Sequence, residues 1–138
     1  TLLIPGENDS IKEIDQLTNW IVRQLGKEVP LHFTAFHPDF KMRDKPSTSK
    51  ETLRLARNIG INNGLNHVYT GNVMDALGSS TYCSSCKTCI IEREWYELGT
   101  FNLTNGHCNS CGSPLAGFFN NMPGSWGRKR QTVRLSTY

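Results

Sequence analysis

The sequence predicts an α/β fold built from three parallel strands and two helices, followed by a small β-rich module organised around cysteines. Three observations lead there. From Thr1 to about Val73, short apolar runs alternate with amphipathic stretches, the pattern of successive βα units. All five cysteines lie between Cys83 and Cys111. From about Ser79 the helical period disappears and Cys, Gly, Ser and Asn dominate. The boundaries implied are 1–78 for the α/β part, 79–119 for the cysteine module and 120–138 for a C-terminal tail.

Leu2 to Ile4 reads as the first strand, closed by the turn Pro5-Gly6-Glu7-Asn8. Ser10-Ile11-Lys12-Glu13 then has the spacing of a capping box, in which the Ser hydroxyl and Glu carboxylate each satisfy an orphan backbone donor. Ile11, Ile14, Leu17, Ile21 and Leu25 recur at three or four residues and form one apolar stripe, which Gly26 ends. Leu31 to Phe36 is the second strand. The polar stretch from His37 to Ser47, with Pro38 and Pro46, is a long loop of the kind that often carries function. Thr48-Ser49-Lys50-Glu51 repeats the capping box, and Leu53, Ala56 and Ile59 stripe a second helix until Asn62-Asn63-Gly64 breaks it. His67 to Thr70 is the third strand.

Two right-handed crossover helices lie on one side of such a sheet, yet parallel sheets are stable almost only when both faces are covered. A (β/α) barrel resolves this, because the second face turns inward against the remaining strands. Residues 1–78 are therefore expected to be the C-terminal part of a partial (β/α) barrel. The chain is expected to be a fragment, since Thr1 leads straight into an apolar run. The face carrying alternate side chains of Leu31 to Phe36 should then be exposed and apolar. An open three-layer sheet is the competing architecture.

Cys83-Ser-Ser-Cys86 and Cys108-Asn-Ser-Cys111 are two C-x2-C pairs separated by residues 87–107, with β-prone segments at Cys89 to Trp95 and Glu97 to Leu103 between them. Each C-x2-C turn aims two thiolates at one ion, and a hairpin brings the two knuckles together, so the spacing suits a zinc ribbon. An odd number of cysteines argues against a disulfide framework and for a reducing, cytoplasmic setting. Zn2+ is favoured in an S4 site, with iron as the alternative. Four thiolates fill a tetrahedral shell, which makes the metal structural. Cys86-Lys-Thr-Cys89 offers a second register; the symmetric one leaves Cys89 as a small strand residue. His107 is a weaker ligand candidate.

A net charge of +3 with 37% hydrophobic residues fits neither a disordered acidic tail nor a strongly basic nucleic-acid binder. A filled tetrathiolate site would lower the charge further, and Arg128-Lys129-Arg130 reads as a solvated run in a tail wrapping over the surface. No run approaches the ~18 apolar residues of a membrane span, and residues 1–30 lack a signal-peptide pattern.

Leu2-Leu3-Ile4-Pro5-Gly6-Glu7-Asn8-Asp9-Ser10, Leu31-His32-Phe33-Thr34-Ala35-Phe36-His37-Pro38, Tyr69-Thr70-Gly71-Asn72-Val73 and Ser80-Thr81-Tyr82-Cys83 together resemble the C-terminal half of the AmmeMemoRadiSam-system radical SAM enzymes, relatives of pyruvate formate-lyase activating enzyme. Cys108-Asn-Ser-Cys111-Gly112 and Pro123-Gly124-Ser125-Trp126-Gly127 extend the likeness over nearly the whole chain. The resemblance implies a radical SAM barrel in which a 4Fe-4S cluster on a C-x3-C-x2-C loop reduces S-adenosylmethionine to a 5′-deoxyadenosyl radical. That loop is absent here. The resemblance therefore implies a missing N-terminal barrel half as partner, a protein substrate for the parent enzyme, and a chain inert by itself, with no catalytic residue of its own. It places His37 near the S-adenosylmethionine; the competing reading is a loop imidazole bonded to backbone. Pro5 to Asp9 matches the family's turn after a late strand, with turn and cap chemistry as the simpler role. His32 and Lys41 carry no motif. A non-enzymatic zinc-ribbon binding module on a small α/β domain is the rival from another class.

Overall fold

The structure is a computed structural model and describes residues 1–124. Ser125-Trp126-Gly127 and the basic run Arg128-Lys129-Arg130 lie outside the described residues.

Three strands, β1 (Leu2–Leu3), β2 (Leu31–Ala35) and β3 (Val68–Gly71), form a parallel sheet in the order β1-β2-β3. Leu2 lies beside Thr34, and His32 beside Tyr69. Helices α1 (Ile11–Leu25) and α2 (Lys50–Asn62) connect the strands and pack on one face. There Leu3, Leu31, Phe33, Ala35 and Val68 meet Ile14, Ile21, Leu53 and Ala56 in one buried cluster. The period-2 alternation of β2 against the helical stripes places these side chains together.

Local chemistry fixes the helix ends. The Ser10 hydroxyl accepts the Glu13 N–H at 3.3 Å, and Gly26, at φ +91°, donates its N–H to Ile21 O and Val22 O. The return half of the box takes another form: the Ser10 hydroxyl donates to the Glu13 carboxylate at 2.7 Å. The second cap is shifted by one residue. Ser49, not Thr48, accepts the N–H of Thr52 at 3.0 Å. Thr48 is buried instead, where its hydroxyl donates to Leu3 O at 2.6 Å and accepts the Phe36 N–H at 2.9 Å, tying the ends of β1 and β2 to the start of α2.

The second sheet face is not covered by a helix, but its chemistry corrects the expectation of an apolar surface. It carries His32, Thr34 and Tyr69, with Leu2 at the edge; Phe36, which strict alternation would put there, is buried because β2 ends at Ala35 and the chain turns toward Thr48.

A four-residue helix, α3 (Ala76–Ser79), too short to carry a period, packs on β3 and leads into the cysteine module. Strands β4 (Thr81–Tyr82), β5 (Cys89–Glu94) and β6 (Glu97–Phe101) form an antiparallel sheet, and β7 (Leu103–Thr104) pairs with β8 (His107–Cys108). Ile90, Ile91, Leu103 and Leu115 bury with Cys83 and Cys108 in a second core, so the chain has two buried clusters, one on each side of α3. The two are tied together. Arg93 N–H donates to the Ser80 hydroxyl at 3.0 Å, the Ser79 hydroxyl donates to Arg93 O at 2.9 Å, and the Arg57 guanidinium lies 5.6 Å from the Tyr82 ring centre. Of the expected tail, the described part begins against the β7–β8 turn, where Asn121 accepts the Asn105 N–H at 3.2 Å.

Candidate metal centre

The two C-x2-C turns fold alike. Cys83 N–H donates to Thr88 O at 2.9 Å and Cys83 O accepts the Lys87 N–H at 3.0 Å; Cys108 N–H donates to Ser113 O at 2.9 Å and Cys108 O accepts the Gly112 N–H at 2.8 Å. Lys87 and Gly112 both adopt the left-handed conformation, at φ 63° and 75°. Each turn is thus a knuckle that curls the chain back at the residue directly after its second cysteine. Glycine adopts that φ freely, whereas Lys87 does so at some strain.

The knuckles face each other. Cys83 Sγ lies 3.6 Å from Cys111 Sγ, Cys86 Sγ lies 3.7 Å from Cys108 Sγ, and all four sulfurs fall within 4.8 Å of one another. Disulfides, at about 2.05 Å, are excluded at these separations. Four sulfurs at the corners of a tetrahedron around zinc, each ~2.3 Å from it, stand about 3.8 Å apart, so two pairs already have that spacing and the widest must close by roughly 1 Å. The donor set fits a single tetrahedral ion, zinc or iron. A 4Fe-4S cluster spreads its cysteines farther than one ion does, and this group does not fit it.

The site is half sheltered. Cys83 and Cys108 are 3% and 2% exposed, while Cys86 and Cys111 face solvent. Hydroxyls attend the two exposed sulfurs: Thr88 Oγ1 and Ser113 Oγ each lie 3.4 Å from the cysteine two residues earlier. The Thr88 hydroxyl, then its backbone N–H, pulls the Cys86 thiol down to about 6, and Ser113 lowers Cys111 in the same way. The Cys86 N–H lowers Cys83 too, but burial and the neighbouring Cys111 and Cys86 sulfurs outweigh it and push that thiol up. This C-x2-C-x-(Ser/Thr) repeat was present in the sequence as Cys83–Thr88 and Cys108–Ser113, and aligning the two knuckles exposes it.

Cys89 stands apart, half-buried in β5 beside Tyr82, with its thiol pushed up by burial. His107 also stays outside the group; its Nδ1 lies 2.8 Å from Asn105 O. His37 is exposed just beyond the C-terminal end of β2 and forms no hydrogen bond among the described residues, so the backbone-bonded reading is not what the structure shows. Its neighbours at that sheet edge are Asn8, which donates to Leu2 O at 2.9 Å and accepts the Ile4 N–H at 2.7 Å, and Asn72, which donates to Ala35 O at 3.0 Å from a left-handed backbone. Lys41 sits over the Phe40 ring at 5.4 Å.

The chain is 40% identical over 116 residues to the uncharacterized protein MJ0808 of Methanocaldococcus jannaschii. The match covers 83% of this chain and 35% of the relative, so the chain spans about a third of that protein's length. No known family profile and no solved structure matches it. Among the described residues no helix is long and apolar enough to cross a membrane.

Proposed function

We propose that the chain is the C-terminal portion of a radical SAM enzyme of the glycyl-radical-activating-enzyme type, completed by a structural zinc ribbon. The observation that carries this reading is the one-sided parallel sheet. Helices cover one face of β1-β2-β3, and the other presents His32, Thr34 and Tyr69, a polar surface suited to the interior of a barrel completed by further strands. The turn after β1, His37 after β2 and Asn72 after β3 share the C-terminal edge, where barrel enzymes bind ligands. A relative nearly three times the matched length leaves room for the remaining strands and the cluster loop.

In this reading Cys83, Cys86, Cys108 and Cys111 hold Zn2+, which closes the module and takes no part in chemistry, because the four sulfurs leave no open position. His37 contributes to the S-adenosylmethionine site of the complete barrel, the parent enzyme acts on a protein substrate, and the reduced thiolates belong in the cytoplasm. The test is anaerobic incubation of the longer protein with S-adenosylmethionine and a strong reductant. It should release 5′-deoxyadenosine, and the 138-residue chain alone should release none. Absence of an in-frame C-x3-C-x2-C upstream of Thr1, or no cleavage by the longer protein, would sink the proposal. The second reading, a non-enzymatic zinc-ribbon module on a small α/β domain, draws on the module's own buried core; a start codon directly before Thr1 would favour it.

A further inference from the structure

The cysteine module reaches across to the sheet face that no helix covers. Arg93, in β5, reaches the Tyr69 ring, with its guanidinium carbon 5.8 Å from the ring centre, and donates through Nη1 to the Thr81 hydroxyl at 2.6 Å and to Ser79 O at 3.4 Å. Tyr69 in turn stacks on His32, with ring centres 4.9 Å apart, and its hydroxyl lies 3.0 Å from Thr81 Oγ1. The result is a braced column of guanidinium, phenol and imidazole. Beside it lies a cavity of about 320 Å³ lined by Pro30, His32, Tyr69, Thr70, Ser79 and Arg93.

Two features of this cavity are unusual. Its lining contains no carboxylate, and Arg93 forms no ion pair among the described residues. Arg93 also lines the adjoining cavity with Asp75 and Glu94, but Asp75 is bonded to Arg54, Glu94 forms no ion pair with Arg93, and Glu92 in the same strand accepts from Thr100. A guanidinium has five N–H donors in a rigid fork. Arg93 uses only Nη1, so Nε and Nη2 have no partner among the described residues. A half-buried guanidinium held in place by an aromatic ring and a hydroxyl, with its Nε and Nη2 donors free, is preorganised for a planar or tetrahedral oxyanion that accepts two parallel bonds.

We propose that the cavity formed by His32, Tyr69, Ser79 and Arg93 binds a small oxyanion, a carboxylate or a phosphate group, through the guanidinium of Arg93. The His32 ring supplies a further polar contact at its wall, while the Ser79 hydroxyl, which donates to Arg93 O, shapes the wall without a free donor. The volume is at the small end of ligand sites, ~300–1,000 Å³, which suits a small acid or a single phosphoryl group. The inference rests on this chain's own residues and not on the radical SAM reading.

Inorganic phosphate and malonate, titrated separately into the 138-residue chain at constant ionic strength, distinguish the two ligand classes. One or both should give saturable shifts of the His32 ring and Arg93 Nε NMR signals, while chloride gives none. Arg93→Lys, which keeps the charge but loses the fork, should weaken binding at least about tenfold, and Arg93→Met should abolish it. Should Arg93→Met fail to fold, Arg93→Lys together with His32→Ala, on the exposed side of the sheet, carries the test. Shifts that track chloride equally, that never saturate, or that persist unchanged in Arg93→Lys would overturn the proposal.

Discussion

At the scale of single residues, position within the knuckle decides what each cysteine does. Cys83 and Cys108 are the buried candidate ligands in the module's core, so with a metal bound removing either would take away both a metal bond and packing. Cys83→Ser or Cys108→Ser should drop the metal content of the purified chain from about one equivalent to near zero by elemental analysis, whereas Cys89→Ser should leave it unchanged. Asp75 supports a different prediction. Its side chain is fully buried and bonded to Arg54 at 2.6 Å and to the Thr70 hydroxyl at 3.2 Å, and Arg54 holds its carboxyl below the ordinary value despite burial. A carboxyl lowered in the folded state contributes stability that is present above the unfolded value, ~3.9, and is lost as pH falls through the folded one. The urea midpoint of the wild type should therefore fall as pH drops below about 4, and Asp75→Asn, costing about 1–2 kcal/mol at neutral pH, should flatten that dependence.

At the scale of elements, caps and close approaches carry the stability that periodicity alone does not. Ser10→Ala should cost about 1 kcal/mol in urea unfolding, since it leaves a first-turn N–H of α1 without its acceptor. Gly78 in α3 has no room for a side chain: a methyl there would overlap the Thr70 hydroxyl and the Asp75 carboxylate. Gly78→Ala should therefore destabilise by ~1–3 kcal/mol, and because α3 joins the two cores, hydrogen exchange should rise in both β3 and β5. Exchange confined to α3 would show that the junction does not couple them. Thr48 illustrates how an element boundary escapes the sequence. Thr48 and Ser49 both precede helix-forming residues, and only the arrival of Leu3 O and Phe36 N–H at the Thr48 hydroxyl makes Ser49 the cap.

At the scale of the whole molecule, the two buried clusters answer to different forces. The α/β cluster is held by aliphatic burial between the sheet and two helices, while the second is small and carries two of the four candidate ligands within it. Chelation should therefore loosen residues 81–115 first. Hydrogen exchange after metal removal is expected to rise across β5, β7 and β8 while α1, α2 and β2 stay protected. Simultaneous loss of protection in both parts would mean that the metal supports the sheet as well.

What the sequence determined by itself were the features set within a few residues: the two helices, the caps of α1 at Ser10 and Gly26, the strand segments, and the four cysteines, because capping, periodicity and C-x2-C turns are short-range chemistry. Tertiary structure decided what depends on residues far apart in the chain. It buried Phe36 and Thr48, paired Cys83 with Cys111 and Cys86 with Cys108, and left a polar face where alternation alone had implied an apolar one. It also brought Arg93 from β5 onto Tyr69, which stacks on His32 in the parallel sheet, a juxtaposition no motif announces. The physical reason is the same in each case. A side chain's partner across the fold is set by how sheets and helices dock, and docking sums many weak contacts that no local window of sequence contains.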